Sequence, residues 1–112
     1  MSRNLTPYST NSERKGEIER ILCSAIHWRD GQKRTFCPFN IASGLVVTGL
    51  RHCDCIQILY EMFPDRRYLK DYVQGFLTSY NMFVDRAEGA QIAFRAGQIP
   101  KMLKELHSED LY

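Results

Sequence analysis

The chain has no unbroken apolar run approaching the eighteen or so residues that a membrane-spanning helix needs, and no charged-then-apolar leader opens it. A cytoplasmic location is the expectation. Proline is sparse, 4 among 112 residues. Charge of one sign is also scarce: 15 basic residues stand against 13 acidic ones, a net of +2, too little for a general nucleic-acid binder with a basic stripe. Of the 4 cysteines only Cys53-Asp54-Cys55 is a close pair, and its C-x-C spacing has no second pair at zinc-ribbon distance. Free thiols acting as small apolar side chains are expected, with no metal and no cofactor. Signatures of catalysis are missing too: there is no G-x-S-x-G, no Walker loop, no H-E-x-x-H and no Rossmann fingerprint.

What remains is ordinary globular material, 44% hydrophobic and 25% charged, enough for one core. Residues 1–17 are polar, carry Pro7 and Gly16 and show no sustained apolar period, so they are expected to form a flexible arm. Residues 18–112 are expected to form a single α+β domain, a small antiparallel sheet of three strands plus a hairpin with two main helices.

The most legible stretch is 74–98. Phe76 and Thr78 alternate with Leu77 and Ser79 as in a half-buried strand, Tyr80-Asn81 supplies a turn, and Met82, Phe83 and Val84 return. Asp85 then caps a helix, with Glu88 three residues on as its capping-box partner, and Gly97 and Pro100 mark the end. Along that helix Gly89, Ala93 and Ala96 form a small-residue face that lets another backbone come close.

Earlier in the chain, residues 18–28 are apolar enough for a strand buried on both faces. Asp30-Gly31 suggests a tight hairpin that folds 33–36 back against it, and residues 45–48 make a third strand. A second helix is expected with Asp54 as cap and Gln57 as its partner, ending at Pro64-Asp65. Ile56, Leu59, Tyr60 and Phe63 line one of its faces; Cys55, Ile58 and Met62 line another. A helix so apolar all round is either deeply buried or part of a subunit interface. Arg66, Arg67 and Lys70, with Tyr68 and Tyr72 between, are either a solvated connection or a cluster able to stack a base and hold a phosphate. Residues 101–106 read as a short amphipathic turn or two, and His107 as a surface residue.

Two arginines are badly placed for stability. Arg51 and Arg86 each stand at the mouth of a helix, where backbone N–H groups lack partners and a cation costs a few tenths to about 1 kcal/mol. Two explanations stand: Arg86 pairs with Asp85, Glu88 or the C-terminal acids, or the two forks grip an anion, phosphate above all. With Phe76, Tyr80, Asn81 and Phe83 on the nearby hairpin, the residue types suit a dinucleotide-like ligand, guanidinium for phosphate, rings for the base and Asn81 for a base edge or hydroxyl. Binding without turnover is favoured, so the chain is expected not to be an enzyme. The competing readings are a protein-interaction module working through the apolar helix and a small nucleotide-processing enzyme built on His52 and Cys53.

Several segments carry a family resemblance: Gly49-Leu50-Arg51-His52-Cys53-Asp54-Cys55-Ile56, Gln74-Gly75-Phe76-Leu77-Thr78, Asn81-Met82-Phe83-Val84-Asp85-Arg86-Ala87-Glu88, Ala96-Gly97-Gln98-Ile99 and Ser108-Glu109-Asp110-Leu111-Tyr112. From about Ile21 to the C-terminus they resemble, in motif order, the first-described family of bacteriophage Thoeris anti-defence sponges. The resemblance implies a protein of the host cell cytoplasm that binds and sequesters cyclic ADP-ribose isomers made by bacterial TIR-domain enzymes, such as glycocyclic ADP-ribose, without degrading them. It implies a small antiparallel sheet with helices, assembly into dimers and then hexamers with pockets between subunits, and in some members a separate site for cyclic oligonucleotides of the CBASS pathway. The matching positions assign ligand contacts to Arg51, Asn81 and Arg86, and further to Phe76 and Gln98; Phe83 joins them from its place on the hairpin. Met82 departs from the family, where a basic residue is expected, and the connection 34–43 is unusual.

Overall fold

Strand β1 (Ile21–Trp28) is the centre of the molecule, paired along both edges. The computed structural model describes residues 18–65 and 71–112. One edge of β1 takes β2 (Leu45–Gly49) and the other takes β3 (Tyr72–Thr78), which turns into the short β4 (Phe83–Asp85). All pairings are antiparallel, in the order β2-β1-β3-β4. Helix α1 (His52–Met62) follows β2 and helix α2 (Arg86–Arg95) follows β4. A single 3₁₀ turn, Ser108–Asp110, lies near the end. The architecture is the α+β one expected.

The register places both helices on one face. Ser24, Ile26 and Trp28 of β1 stand opposite Gly49, Val47 and Leu45 of β2 and opposite Phe76, Gln74 and Tyr72 of β3, so all share a side of the sheet. Under α1 the core is Ile26, Trp28, Val47, Cys55 and Leu59; under α2 it is Ile21, Phe76, Val84, Ala90, Ile92, Ala93, Ile99 and Leu106. On the small-residue face of α2, Gly89 is approached by side chains and not by another backbone: a Cβ there would stand 3.0 Å from the ring of the fully buried Phe76. Burial of that ring alone is worth about 2–3 kcal/mol.

Local signals set the second half. Asn81 adopts a left-handed φ of 60° in the hairpin turn, a conformation asparagine tolerates. Asp85 caps α2 by accepting from Glu88 N at 2.8 Å, and Gly97 takes a φ of 75° just past its end. Gln98 then reaches back to the start of β1, its Oε1 accepting from Ile21 N at 2.8 Å and its Nε2 donating to Ile21 O at 2.9 Å.

Three local expectations are corrected. Residues 33–36 form no strand, because β2 and β3 already occupy both edges of β1. The connection is held instead by an Arg34–Asp30 ion pair at 2.7 Å and by Gly44 N donating to Gln32 O at 2.7 Å. It lies across the sheet face away from the helices. There Asn40 donates to Phe83 O at 2.6 Å and accepts from Phe83 N at 2.9 Å, standing in for a further strand beside β4. Helix α1 begins at His52, so Asp54 is not its cap; it sits in the first turn and accepts from Arg51 N at 3.2 Å, while Gln57 donates to Glu61. Residues 101–106 are irregular rather than helical. The arm 1–17 and the basic positions Arg66, Arg67 and Lys70 lie outside the described residues.

Candidate functional site

The two helices start on the same side of the sheet, and the seam between their first turns opens into a cleft of about 300 Å³. Arg51, His52, Cys53 and Ile56 bring it the mouth of α1, Arg86 the mouth of α2, and Gln74 the floor from β3. The remaining wall is His107, Ser108 and Glu109, from the segment after α2.

Arg51 is the residue before α1, in extended backbone with φ −126° and ψ 160°. A guanidinium has no acceptor atom, so it caps none of the free N–H groups of the first turn. Its Nη2 donates instead to the backbone oxygen of Tyr112. Arg86 is the first residue of α2 and turns across the seam, Nη1 donating to Leu106 O at 3.0 Å and Nη2 to the Gln74 side-chain oxygen at 2.7 Å. Every one of these acceptors is an uncharged group or a main-chain oxygen. Among the described residues neither arginine pairs with the side-chain carboxylate of Asp85, Glu88 or any other acid. Pairing of Arg86 with Asp85, Glu88 or the C-terminal acids therefore does not hold among the described residues, while Arg51 is held by an oxygen of Tyr112, the last residue of the sequence.

His52 sits between the two forks. Its ring lies edge-on to Phe76, centroids 5.0 Å apart at 77°, and its Nε2 donates to Gly75 O at 2.7 Å. Burial pushes its pKa below the ordinary 6.5, with Arg86 and His107 acting in the same direction, against the Gly75 bond and the charge of Glu109. The imidazole is thus neutral at pH 7, with its proton on Nε2. Glu109 is held below the usual carboxylate range first by its own backbone N–H, then by the Ser108 hydroxyl and the charges of His107 and Arg51. The cleft is therefore cationic at two points, with acceptors between them.

The other expected contacts are dispersed. Phe76 is fully buried beneath α2 and Gln98 is consumed by its clasp on Ile21; both hold the scaffold. Phe83 is 8% exposed and packs edge-on against His27 on the opposite face of the sheet. Asn81 borders a separate cavity of about 420 Å³ on that opposite side, with Leu77, Val46, Thr48 and the Thr35–Ile41 connection, and no charged residue lines it. The sequence reading missed Gln74, His107, Ser108 and Glu109 as neighbours of the arginines. Nothing local announces them, since Arg51 meets Tyr112 across 61 residues. Cys53 is exposed and no hydrogen bond joins it to His52, whose Nε2 is directed at Gly75. Among the described residues no group of three or more His, Cys, Asp or Glu could hold a metal ion, and no helix is long and apolar enough to cross a membrane.

The profile of the family described as Phage T4 y16D protein matches residues 20–112, from the threshold of β1 to the last residue. The chain belongs to that family. Membership in the y16D family makes it a phage protein, and the matched span contains the whole sheet, both helices and every residue of the cleft. No curated protein and no solved structure matches the chain.

Proposed function

We propose that this phage protein is an anti-defence sponge of the Thoeris type, holding a cyclic ADP-ribose-like signal by its phosphates in the cleft between the helix starts and releasing it unaltered. The observation that carries the reading is the convergence of Arg51 and Arg86 on one cleft, with no side-chain carboxylate paired to either among the described residues. Two guanidinium forks stationed at helix starts are a recognised means of holding a pyrophosphate. A volume of about 300 Å³ suits a diphosphate with its sugar rather than a whole dinucleotide. The bases then lie outside, against a second copy of the chain, which is how a homo-oligomer enters the proposal. Asn81, half-buried on the far face, is available to such a neighbour and not to the cleft of its own chain, whereas Phe83 is buried there against His27.

Calorimetry with glycocyclic ADP-ribose, followed by recovery of the ligand after heat denaturation, tests the proposal. Tight binding with intact ligand supports it. Recovery of altered ligand supports the nucleotide-processing enzyme, and absence of heat supports the interaction module, for which the exposed Ile58 and Met62 of α1 are the available surface.

A further inference from the structure

His52 is only 6% exposed, yet half of its polar capacity is unused. The carbonyl of Gly75 can only accept, so Nε2 carries the hydrogen and Nδ1 is left with a bare lone pair. No hydrogen bond from a described residue reaches that nitrogen, and His52 is one of the residues that line the cleft. A buried acceptor without a partner is a costly feature unless something occupies it. Glu109, at the rim of the same cleft, is a second acceptor, and its charge opposes any bare anion that enters. An ionised phosphate has no hydrogen to offer either group. The cleft therefore combines two donors of fixed positive charge with two acceptors that a phosphate cannot satisfy, and a hydroxyl-bearing sugar attached to the phosphate answers both.

We propose that His52 reads the sugar of the bound molecule: its Nδ1 accepts a hydrogen bond from a ribose hydroxyl while Arg51 and Arg86 hold the phosphates, so the cleft selects phosphorylated riboses over inorganic pyrophosphate. This rests on the anion-binding reading of the same cleft and adds the residue that sets its selectivity. The ring is well fixed for the task, held by the Gly75 bond and packed edge-on against Phe76. Its neutrality matters, because an imidazolium has no lone pair to offer.

The test follows the Nδ1 and Nε2 resonances of His52 by nitrogen-15 NMR in the wild-type chain, with the arginine side-chain signals as an independent report of anion binding. Two probes are used, cyclic ADP-ribose and inorganic pyrophosphate, at a pH alkaline enough that pyrophosphate carries no hydrogen. The expected result is that both move the Arg86 signals and only the cyclic ADP-ribose moves Nδ1 upfield from its pyridine-type position. If both move the arginines and Nδ1 stays still with the sugar-bearing probe, the inference is overturned and the anion site stands. If neither probe moves the arginines, the anion site itself fails and the inference with it. His52→Gln places an amide N–H where Nε2 was and removes the Nδ1 acceptor. It should weaken cyclic ADP-ribose about tenfold and leave pyrophosphate unchanged, the loss expected for one unanswered hydrogen bond. Equal weakening of both probes would overturn the proposal.

Discussion

Arg86 carries two tasks, and a single substitution should reveal both. In Arg86→Ala the carbonyl of Leu106 and the side-chain oxygen of Gln74 each lose a guanidinium donor. Bonds from a charged donor are worth about 1.5–3 kcal/mol when buried, and partial exposure here reduces each to about 1 kcal/mol. Relief of a cation from the positive end of α2 returns about 0.5 kcal/mol. The net loss is about 1.5 kcal/mol, or about 5–10 °C in the unfolding midpoint of a domain this size. Circular dichroism melts of wild type, Arg86→Ala, Gln74→Ala and the double variant would measure it without ligand. The two substitutions should fall short of additivity by about 1 kcal/mol, since they share one bond. Full additivity would mean that the Arg86–Gln74 contact contributes nothing and that the guanidinium is not anchored as described. The binding task is read from the same melts: cyclic ADP-ribose at a hundredfold excess over its dissociation constant should raise wild-type stability by about 2.7 kcal/mol. An equal rise in Arg86→Ala would refute the role assigned to the cleft.

Three further outcomes follow from the packing. Gly75→Ala should abolish folding, because a Cβ there would lie 2.0 Å from Val84 O in the neighbouring strand; a soluble variant with a wild-type melt would contradict the β3–β4 register. Gln98→Ala removes both bonds to Ile21 and should cost about 1–2 kcal/mol, with faster hydrogen exchange at the Ile21 amide as the specific readout. Stability should decline as pH falls below about 6.5, because His52 has a lower pKa folded than unfolded and the unfolded chain takes up the proton first. Arg86 and His107 reinforce that slope and Glu109 opposes it; urea unfolding at pH 7.5 and 5.5 should show it in wild type and not in His52→Gln.

The parts of the fold legible in the sequence are those whose causes are local. Asp85 and Glu88 are three residues apart and meet as a cap, Asn81 and Gly97 take the left-handed conformations their side chains allow, and α2 has the bounds its pattern suggests. The Asp30-Gly31 signal misled because a turn residue says nothing about which edge of a strand is vacant. Both edges of β1 are taken by strands that arrive later in the chain. The start of α1 was displaced because Asp54 binds a backbone N–H behind it rather than ahead of it, so the same carboxylate marks the first turn instead of the cap. Of the site, the two arginines were legible through their conflict with the helix dipole. Their meeting with Gln74 and with the segment 107–109 depends on tertiary closure, and so does the dispersal of Phe76, Asn81, Phe83 and Gln98.

The amide of Asn40 has an effect that reaches beyond the folded monomer. An outermost strand offers unused N–H and C=O groups as a template on which other chains can grow. At Phe83 both groups are already occupied, by one donor and one acceptor borrowed from a loop 43 residues earlier. A single side chain thus blocks lateral growth at that margin. Its loss would be felt less in how tightly one molecule folds than in whether many of them remain separate at high concentration.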